Sequence, residues 1–398
     1  MVTIRPVLLA GGEGRRLYPL STPARPKPFI PLTDGASLLQ HSVRRLPGAW
    51  LPPVLVGRAQ DRYALINHAR QAGVTPAHIL LEPACRNTGF AVAAAVRFLE
   101  HQGEAPESML AVLPSDHQIT APDHWQEALA RAAEFAAEHQ ALTLVGMRFE
   151  SFSPQLGYFA CDGARVVNFM EKPASVSVLA EGMVWQVNSG QFVAPLGVMA
   201  RLIECYAPEI WQAAGEAVLN RKKSWEFEEL SVPFTPFVPE SFDRAVVACA
   251  PEIYAASCAP CGWSDLGTVE SWQKATGITP AMDAKRPPRT DRPWGYYEVL
   301  RRSPHEIIKR LYVFPGGRLS KQRHWQRDED WEVVSGLAYT ECAGQKRQLV
   351  TGDTLHIAAG NWHRLVNAGS GMLIMHERQS GQPSEADIER TEDDYGRV

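Results

Sequence analysis

Along its first two-thirds the chain alternates short, almost wholly apolar runs with longer amphipathic stretches. Arg5–Ala10, Pro53–Gly57, Ile79–Glu82, Met109–Pro114 and Leu142–Met147 read as buried strands. Between them, Asn87–His101 and His124–His139 are rich in alanine and set apolar residues at helical spacing. Parallel strands need covering helices as crossovers, so the pattern predicts an α/β fold with a doubly wound, mostly parallel sheet. In such a sheet ligand chemistry collects at the carboxyl ends of the strands.

The segment Thr279–Pro293, TPAMDAKRPPRTDRP, is dense in proline and charge and has no apolar period, which suits a linker. Beyond it the texture changes. Glu306–Phe314, Trp331–Val334, Thr354–Ile357 and Met372–Met375 are strand-like runs broken by PGG, SG, AG and GSG turns, the pattern of a small all-β barrel or sandwich. The expected division is therefore an α/β domain over 1–274, a linker over 275–290 and an all-β domain over 291–398.

Composition narrows the function classes. A chain of 398 residues with 45% hydrophobic and 21% charged side chains can fill more than one core. With 40 basic against 44 acidic residues, the net charge of -4 offers no footprint for nucleic acid or an anionic membrane, so any phosphate binding must be local. The first residues lack the layout of a signal peptide and no stretch reaches membrane-spanning length. Seven scattered cysteines do not resemble a disulfide framework, and a reducing cytoplasm is expected. Cys258 and Cys261 form a CxxC, but no second CxxC or CxxH completes a zinc site, so ordinary thiols are expected there.

The strongest chemical signal is the run from Leu9 through Ala10, Gly11, Gly12, Glu13 and Gly14 to Arg15 and Arg16, followed by RPKPF over 25–29. A strand ending in such glycines can bring backbone N–H groups against an anion. Arg15, Arg16 and Lys27 add fixed positive charge that would neutralise a polyphosphate. The string is neither a P-loop nor a dinucleotide fingerprint, because the Gly-Lys-Ser/Thr and the third spaced glycine are missing. Asp116, in Pro-Ser-Asp-His, stands directly after a hydrophobic run, at the expected end of a buried strand.

The strings GGEGRRLYPLS and RPKPF resemble the signature of the sugar-phosphate nucleotidyltransferases, a Rossmann-like family. LLEPACRNTGFAVAAAV, VLPSDHQI, LGYFACDG, FMEKPA, VNSGQFVAP, SFDRAVV and GWSDLGT resemble successive blocks of its mannose-1-phosphate guanylyltransferase branch. RPWGYYEVL and the closing EDDYGR resemble the cupin domain of the bacterial type that also carries a mannose-6-phosphate isomerase. The resemblance implies transfer of GMP from GTP to mannose 1-phosphate. It implies Mg²⁺ on Asp116 and Asp265, and catalysis by those aspartates with Arg16 and Lys27. Leu9, Ala10, Gly11, Gly12, Gly14, Arg15, Glu82, Arg86 and Asn87 are implied to meet the nucleotide, and Gly157, Glu171, Lys172 and Asn188 the sugar phosphate. A helix cap explains Asn87 and Thr88 equally well. The expected partners are GTP, mannose 1-phosphate and further copies of the chain, with neither nucleic acid nor membrane. The rival readings are a nucleotidyltransferase for another nucleotide or sugar, and a sugar-nucleotide sensor without catalysis.

In the cupin region the resemblance implies a metal site at His324, Gln326, Glu329 and His363, taking Zn²⁺, Co²⁺ or Mn²⁺. The family string Gln-x-His-His-His-Arg-x-Glu-His-Trp is here Gln322-Arg-His-Trp-Gln-Arg-Asp-Glu-Asp-Trp331, with three of the four histidines gone. A neutral amide from Gln326 is a poorer transition-metal ligand than imidazole. The alternative to a working isomerase is a metal-poor barrel kept for subunit contacts or stability.

Overall fold

A computed structural model describes residues 3–179 and 182–396. Arg397, the last residue of the EDDYGR match, lies outside them. Contacts divide the chain into two compact units, one up to Pro280 and one from Ala281 onward.

In the first unit the apolar runs form β1 (Ile4–Leu9), β2 (Val54–Arg58), β3 (His78–Glu82), β4 (Met109–Pro114) and β5 (Leu142–Arg148). The amphipathic stretches form α1 (Leu38–Arg44), α2 (Arg62–Gln71), α3 (Asn87–His101) and α4 (Pro122–His139). Strands β3, β2, β1 and β4 lie side by side and parallel. They are apolar throughout because both faces are covered. Val7, Leu110 and Val112 point to one layer with Phe90 and Phe98 of α3, while Leu8, Ala111 and Leu113 point to the other with Trp125 and Leu129 of α4. Helix α3 is alanine-rich for a reason: its Ala93, Ala94 and Ala95 are buried against the sheet and against α5 (Leu196–Tyr206) and α6 (Pro208–Leu219).

Past β4 the sheet becomes mixed, with antiparallel pairings around β8 (Trp185–Pro195) and a parallel pair of β5 with β11 (Ile253–Ser257). The long strand β8 pairs with both β4 and β5, so β5 is not the parallel neighbour of β4. Strands β6 (Gly157–Asp162), β7 (Arg165–Met170), β9 (Lys222–Ser224), β10 (Phe227–Glu229) and β11 complete an 11-stranded mixed sheet. The apolar runs do not announce these strands: β9 and β10 are three residues each, and β7 is half exposed. Helix α7 (Val269–Thr276), opened by a Thr268 capping box, follows. The expected linker holds a short helix, Pro280–Asp283, whose Asp283 is buried.

The second unit is two sheets sharing one core. One contains β12 (Arg289–Arg292), β13 (Gly295–Ser303), β14 (Glu306–Val313), β16 (Arg327–Ser335), β19 (Thr354–Ile357) and β21 (Leu373–Gly381). The other contains β15 (Lys321–His324), β17 (Leu337–Cys342), β18 (Gln345–Val350), β20 (His363–Asn367) and β22 (Ile388–Glu392). Inward positions alternate strictly on β14, β16 and β21. Leu311, Val313, Trp331, Val333, Leu373 and Met375 fill one end of the interior. At the other end the same phase turns in Lys309, Arg327, Glu329, Glu377 and Gln379, brought level by the pairings Lys309–Glu377 and Glu329–Gln379.

Candidate active site

The carboxyl ends of the parallel strands open on a crevice of about 620 Å³. Every residue expected at the nucleotide or sugar phosphate lines it except Ala10. Ala10 is buried and its amide donates to the Val56 carbonyl at 2.7 Å, so it finishes β1 and does not face a ligand.

Gly14 takes a left-handed φ of 67°, and a Cβ there would stand 2.6 Å from the Lys27 Cβ. Glycine is therefore what lets the loop turn and lets Lys27 reach inward. Lys27 is 7% exposed; its Nζ lies 3.0 Å from Asp116 Oδ2 and donates to the Asp265 carbonyl at 2.5 Å. Arg16 donates to Gln155 Oε1 at 2.6 Å across the mouth. Arg15 is exposed and pairs with Glu13, so its guanidinium points to solvent.

Asp116 and Asp265 come from distant segments joined by an isolated antiparallel bridge, Gln118 with Ser264. Ser115 fixes the other side, giving both its amide and its hydroxyl to the Leu9 carbonyl. A satellite cluster of Leu17, Leu20, Leu266 and Trp272 packs the stretch after the glycine loop against the stretch after Asp265. Burial raises the Asp116 pKa, but the Lys27 charge leads the effects that outweigh it, a Lys27 hydrogen bond among them, and the carboxyl lies below its ordinary value. Sequence reasoning passed over His117. Burial pushes it down to about 4, so the ring is neutral at pH 7. Trp263 Nε1 donates to His117 Nδ1 at 3.2 Å, which leaves Nε2 as the protonated nitrogen, 3.9 Å from Asp116 Oδ1.

At the corner expected to take the nucleotide, Glu82 is 3% exposed and pushed up to about 8 by burial, with the Arg86 charge opposing. Its Oε1 is buried without a hydrogen-bond partner. Neither Asn87 nor Thr88 caps α3: Asn87 has φ 66°, and Thr88 Oγ1 accepts from the Phe242 amide at 3.0 Å. At the corner expected to take the sugar phosphate, Glu171 Oε1 lies 3.1 Å from Lys172 Nζ. A Cβ on Gly157 would meet Glu171 Oε2 at 2.6 Å. Lys172 also has positive φ, 49°, the kind of backbone strain that concentrates at ligand sites.

In the barrel His324, Glu329 and His363 put one ligand atom each within 4.8 Å of one another. Gln326 is not with them. Strand β15 ends at His324 and β16 starts at Arg327, so the in-out phase resets across the intervening turn; Gln326 is exposed and its backbone N–H donates to Asp387 Oδ2. The amide that joins the group is Gln322, whose Nε2 lies 3.4 Å from His324 Nε2. The vanished histidines thus fall at positions other than those that converge here. Glu329 Oε2 and His363 Nε2 are buried, 3.5 Å apart and without hydrogen-bond partners, which fits an ion, and an imidazole–carboxylate set suits a transition metal. Arg327, 3% exposed, donates to His324 Nε2 at 3.0 Å and to Glu329 Oε1 at 3.0 Å. An ion and the guanidinium compete for those two atoms. Cys258 and Cys261 are buried free thiols, and Cys261 rests against Met147.

A crevice at the strand ends, edged by glycines and lined by Asp116 and Asp265 together with Arg16, Lys27 and Lys172 among other charged groups, is the setting of a nucleotidyl transferase. The Nucleotidyl transferase family model matches residues 5–280, and the chain belongs to that family; the Mannose-6-phosphate isomerase C-terminal model matches 283–393. The chain is 30% identical to Xanthan biosynthesis protein XanB of Xanthomonas campestris pv. campestris (strain B100), over 100% of both chains. It is 27% identical to the mannose-1-phosphate guanylyltransferase of Escherichia coli (strain K12), over 99% of this chain and 98% of that protein. Among solved structures, mannose-1-phosphate geranyltransferase from Thermus thermophilus superposes with a TM-score of 0.58 at 28% identity, covering 70% of this chain and 81% of that one. Mannose-6-phosphate isomerase from Helicobacter pylori shares the fold, with a TM-score of 0.57 at 23% identity over 66% of this chain and 100% of that one. No helix of the described residues is long and apolar enough to cross a membrane.

Proposed function

We infer that the chain transfers GMP from GTP to α-D-mannose 1-phosphate, giving GDP-mannose and pyrophosphate. The observation that carries this reading is the convergence of Asp116, Asp265, Lys27, Arg16 and Lys172 on one crevice in a chain similar end to end to guanylyltransferases. A phosphate oxygen of the sugar phosphate attacks the α-phosphorus, the α–β bridging bond breaks, and its electron pair leaves with pyrophosphate. No protein nucleophile is needed, so catalysis is positioning and charge neutralisation.

The glycine loop with Arg16 and Lys27 holds the triphosphate, and Glu82, Arg86 and Asn87 face the base or ribose. Gly157, Glu171, Lys172 and Asn188 hold the sugar phosphate, with Lys172 as the point charge on its phosphate. Asp116 and Asp265 are hard oxygen donors suited to Mg²⁺, which when bound draws charge from the reacting phosphates. Lys27, 3.0 Å from Asp116, keeps that carboxylate ionised. Pyrophosphate release across a panel of nucleoside triphosphates and sugar 1-phosphates tests the reading. A preference for GTP with mannose 1-phosphate is expected, and the absence of that preference overturns it.

For the barrel the favouring observation is the set His324, Glu329, His363 and Gln322, which fits a transition metal. Interconversion of mannose 6-phosphate and fructose 6-phosphate with added Zn²⁺, Co²⁺ or Mn²⁺ tests isomerase activity. A background rate with all three leaves the barrel as a structural module.

A further inference from the structure

At the sugar corner the two ends of the Asn188 amide are already spoken for. Its Oδ1 accepts from the Gly190 amide at 3.1 Å, and its Nδ2 donates to Asp243 Oδ1 at 2.5 Å. What Asn188 keeps is the second N–H of Nδ2, and what stands beside it is the Asp243 carboxylate with lone pairs to spare. A donor and an acceptor side by side match a sugar hydroxyl, which accepts one hydrogen bond and donates another.

Asp243 lines the crevice together with Glu171, Lys172 and Asn188. It opens a single π-helical turn, Asp243–Val247, an irregularity that recurs at functional sites. The turn is anchored where the nucleotide corner begins: the Phe242 amide donates to Thr88 Oγ1, and the Gly89 amide to the Glu240 carbonyl at 3.1 Å. Burial, and then the neighbouring Glu171 charge, push the Asp243 carboxyl up to about 6. The positive charge acting on it comes from Lys172, already paired with Glu171. A polar group placed so uncomfortably, with no cation of its own among the described residues, is explained by a ligand that completes its bonding.

We propose that Asp243 is a sugar-reading residue: with the free N–H of Asn188 it forms a donor–acceptor pair that binds one ring hydroxyl of the sugar 1-phosphate. The assignment rests on the crevice being the sugar-phosphate site and adds to it the group that discriminates between sugars. Losing a hydrogen bond to a charged acceptor costs about tenfold or more in affinity.

The test compares wild type with the isosteric Asp243→Asn, using mannose 1-phosphate and its 2-, 3-, 4- and 6-deoxy analogues at saturating GTP. The KM for mannose 1-phosphate rises about tenfold or more in the variant, while the KM for GTP holds. For one deoxy analogue the two proteins become equal, because the hydroxyl that Asp243 reads is gone. An unchanged sugar-phosphate KM, or the same loss with every analogue, overturns the assignment. Should the variant fail to fold, the wild-type series decides: one hydroxyl whose removal costs about tenfold supports it, and a flat series overturns it. A wild-type chain that turns over no sugar 1-phosphate overturns the function itself, whereas an active chain indifferent to Asp243→Asn overturns only this inference.

Discussion

The crevice and the barrel cluster use the same kinds of side chain and make opposite use of burial. In the crevice Asp116, Lys27 and Glu171 sit at the edge of an open volume, each held by one or two bonds from loops, with bonding capacity left for substrates. In the barrel His324, Arg327, Glu329 and His363 are at most 3% exposed and bond chiefly to one another. The difference predicts where damage goes. Removing a charge from the crevice removes chemistry, while removing one from the barrel strands a buried partner and removes stability.

The sharpest break in that comparison comes from Glu329→Ala. It takes the paired carboxylate from the buried Arg327 guanidinium, at a cost of about 3–5 kcal/mol. Urea unfolding of the full chain measures it, with GTP-dependent transfer remaining as the control; a barrel of unchanged stability would show that the cluster is not an ion-pair core. Next in size is Asp265→Asn, which removes one of the two carboxylates proposed to hold Mg²⁺ in the open site. Turnover under saturating Mg²⁺ should fall by about a hundredfold or more with the unfolding curve unmoved, and retained turnover would refute the metal role.

A third test uses a crevice group that behaves like a barrel group. Glu82 titrates near its ordinary value of 4.5 in the unfolded chain and at about 8 in the fold. The folded state therefore holds the proton more tightly, and stability falls as pH rises from about 4.5 to about 8. Glu82→Gln should flatten that slope, so the urea midpoints of variant and wild type diverge in the variant's favour between pH 5 and pH 8; parallel midpoints would show that Glu82 is already ionised. The smallest effect belongs to Arg15→Ala. Its guanidinium is solvent-facing and paired only with Glu13, so kcat/KM for GTP should change by less than about fivefold, and a larger loss would place Arg15 on the triphosphate.

How far the sequence speaks differs between the regions for a physical reason. The crevice was largely legible because its residues sit in contiguous strings whose place follows from burial: an apolar run must be a covered strand, and Gly11, Gly12 and Asp116 come just after such runs. The barrel ligand set was misjudged at one position. The resemblance put Gln326 in the ligand place, but the turn between β15 and β16 shifts the side-chain phase, so Gln322 points in and Gln326 points out. A turn that resets an alternation of period two leaves no trace in composition.

What the chain's pattern determined alone is the set of elements whose burial is local: β1 to β4, the alanine face of α3, the glycine loop and the alternating barrel strands. Tertiary structure decided the rest. It inserted β8 between β4 and β5, set Lys27 between two aspartates 149 positions apart in sequence (265 minus 116), and turned Asp243 onto Asn188. Periodicity records which face of a segment is apolar, because that is a property of the segment. Which two loops meet is fixed only when separate layers pack, and no single stretch of chain carries that information.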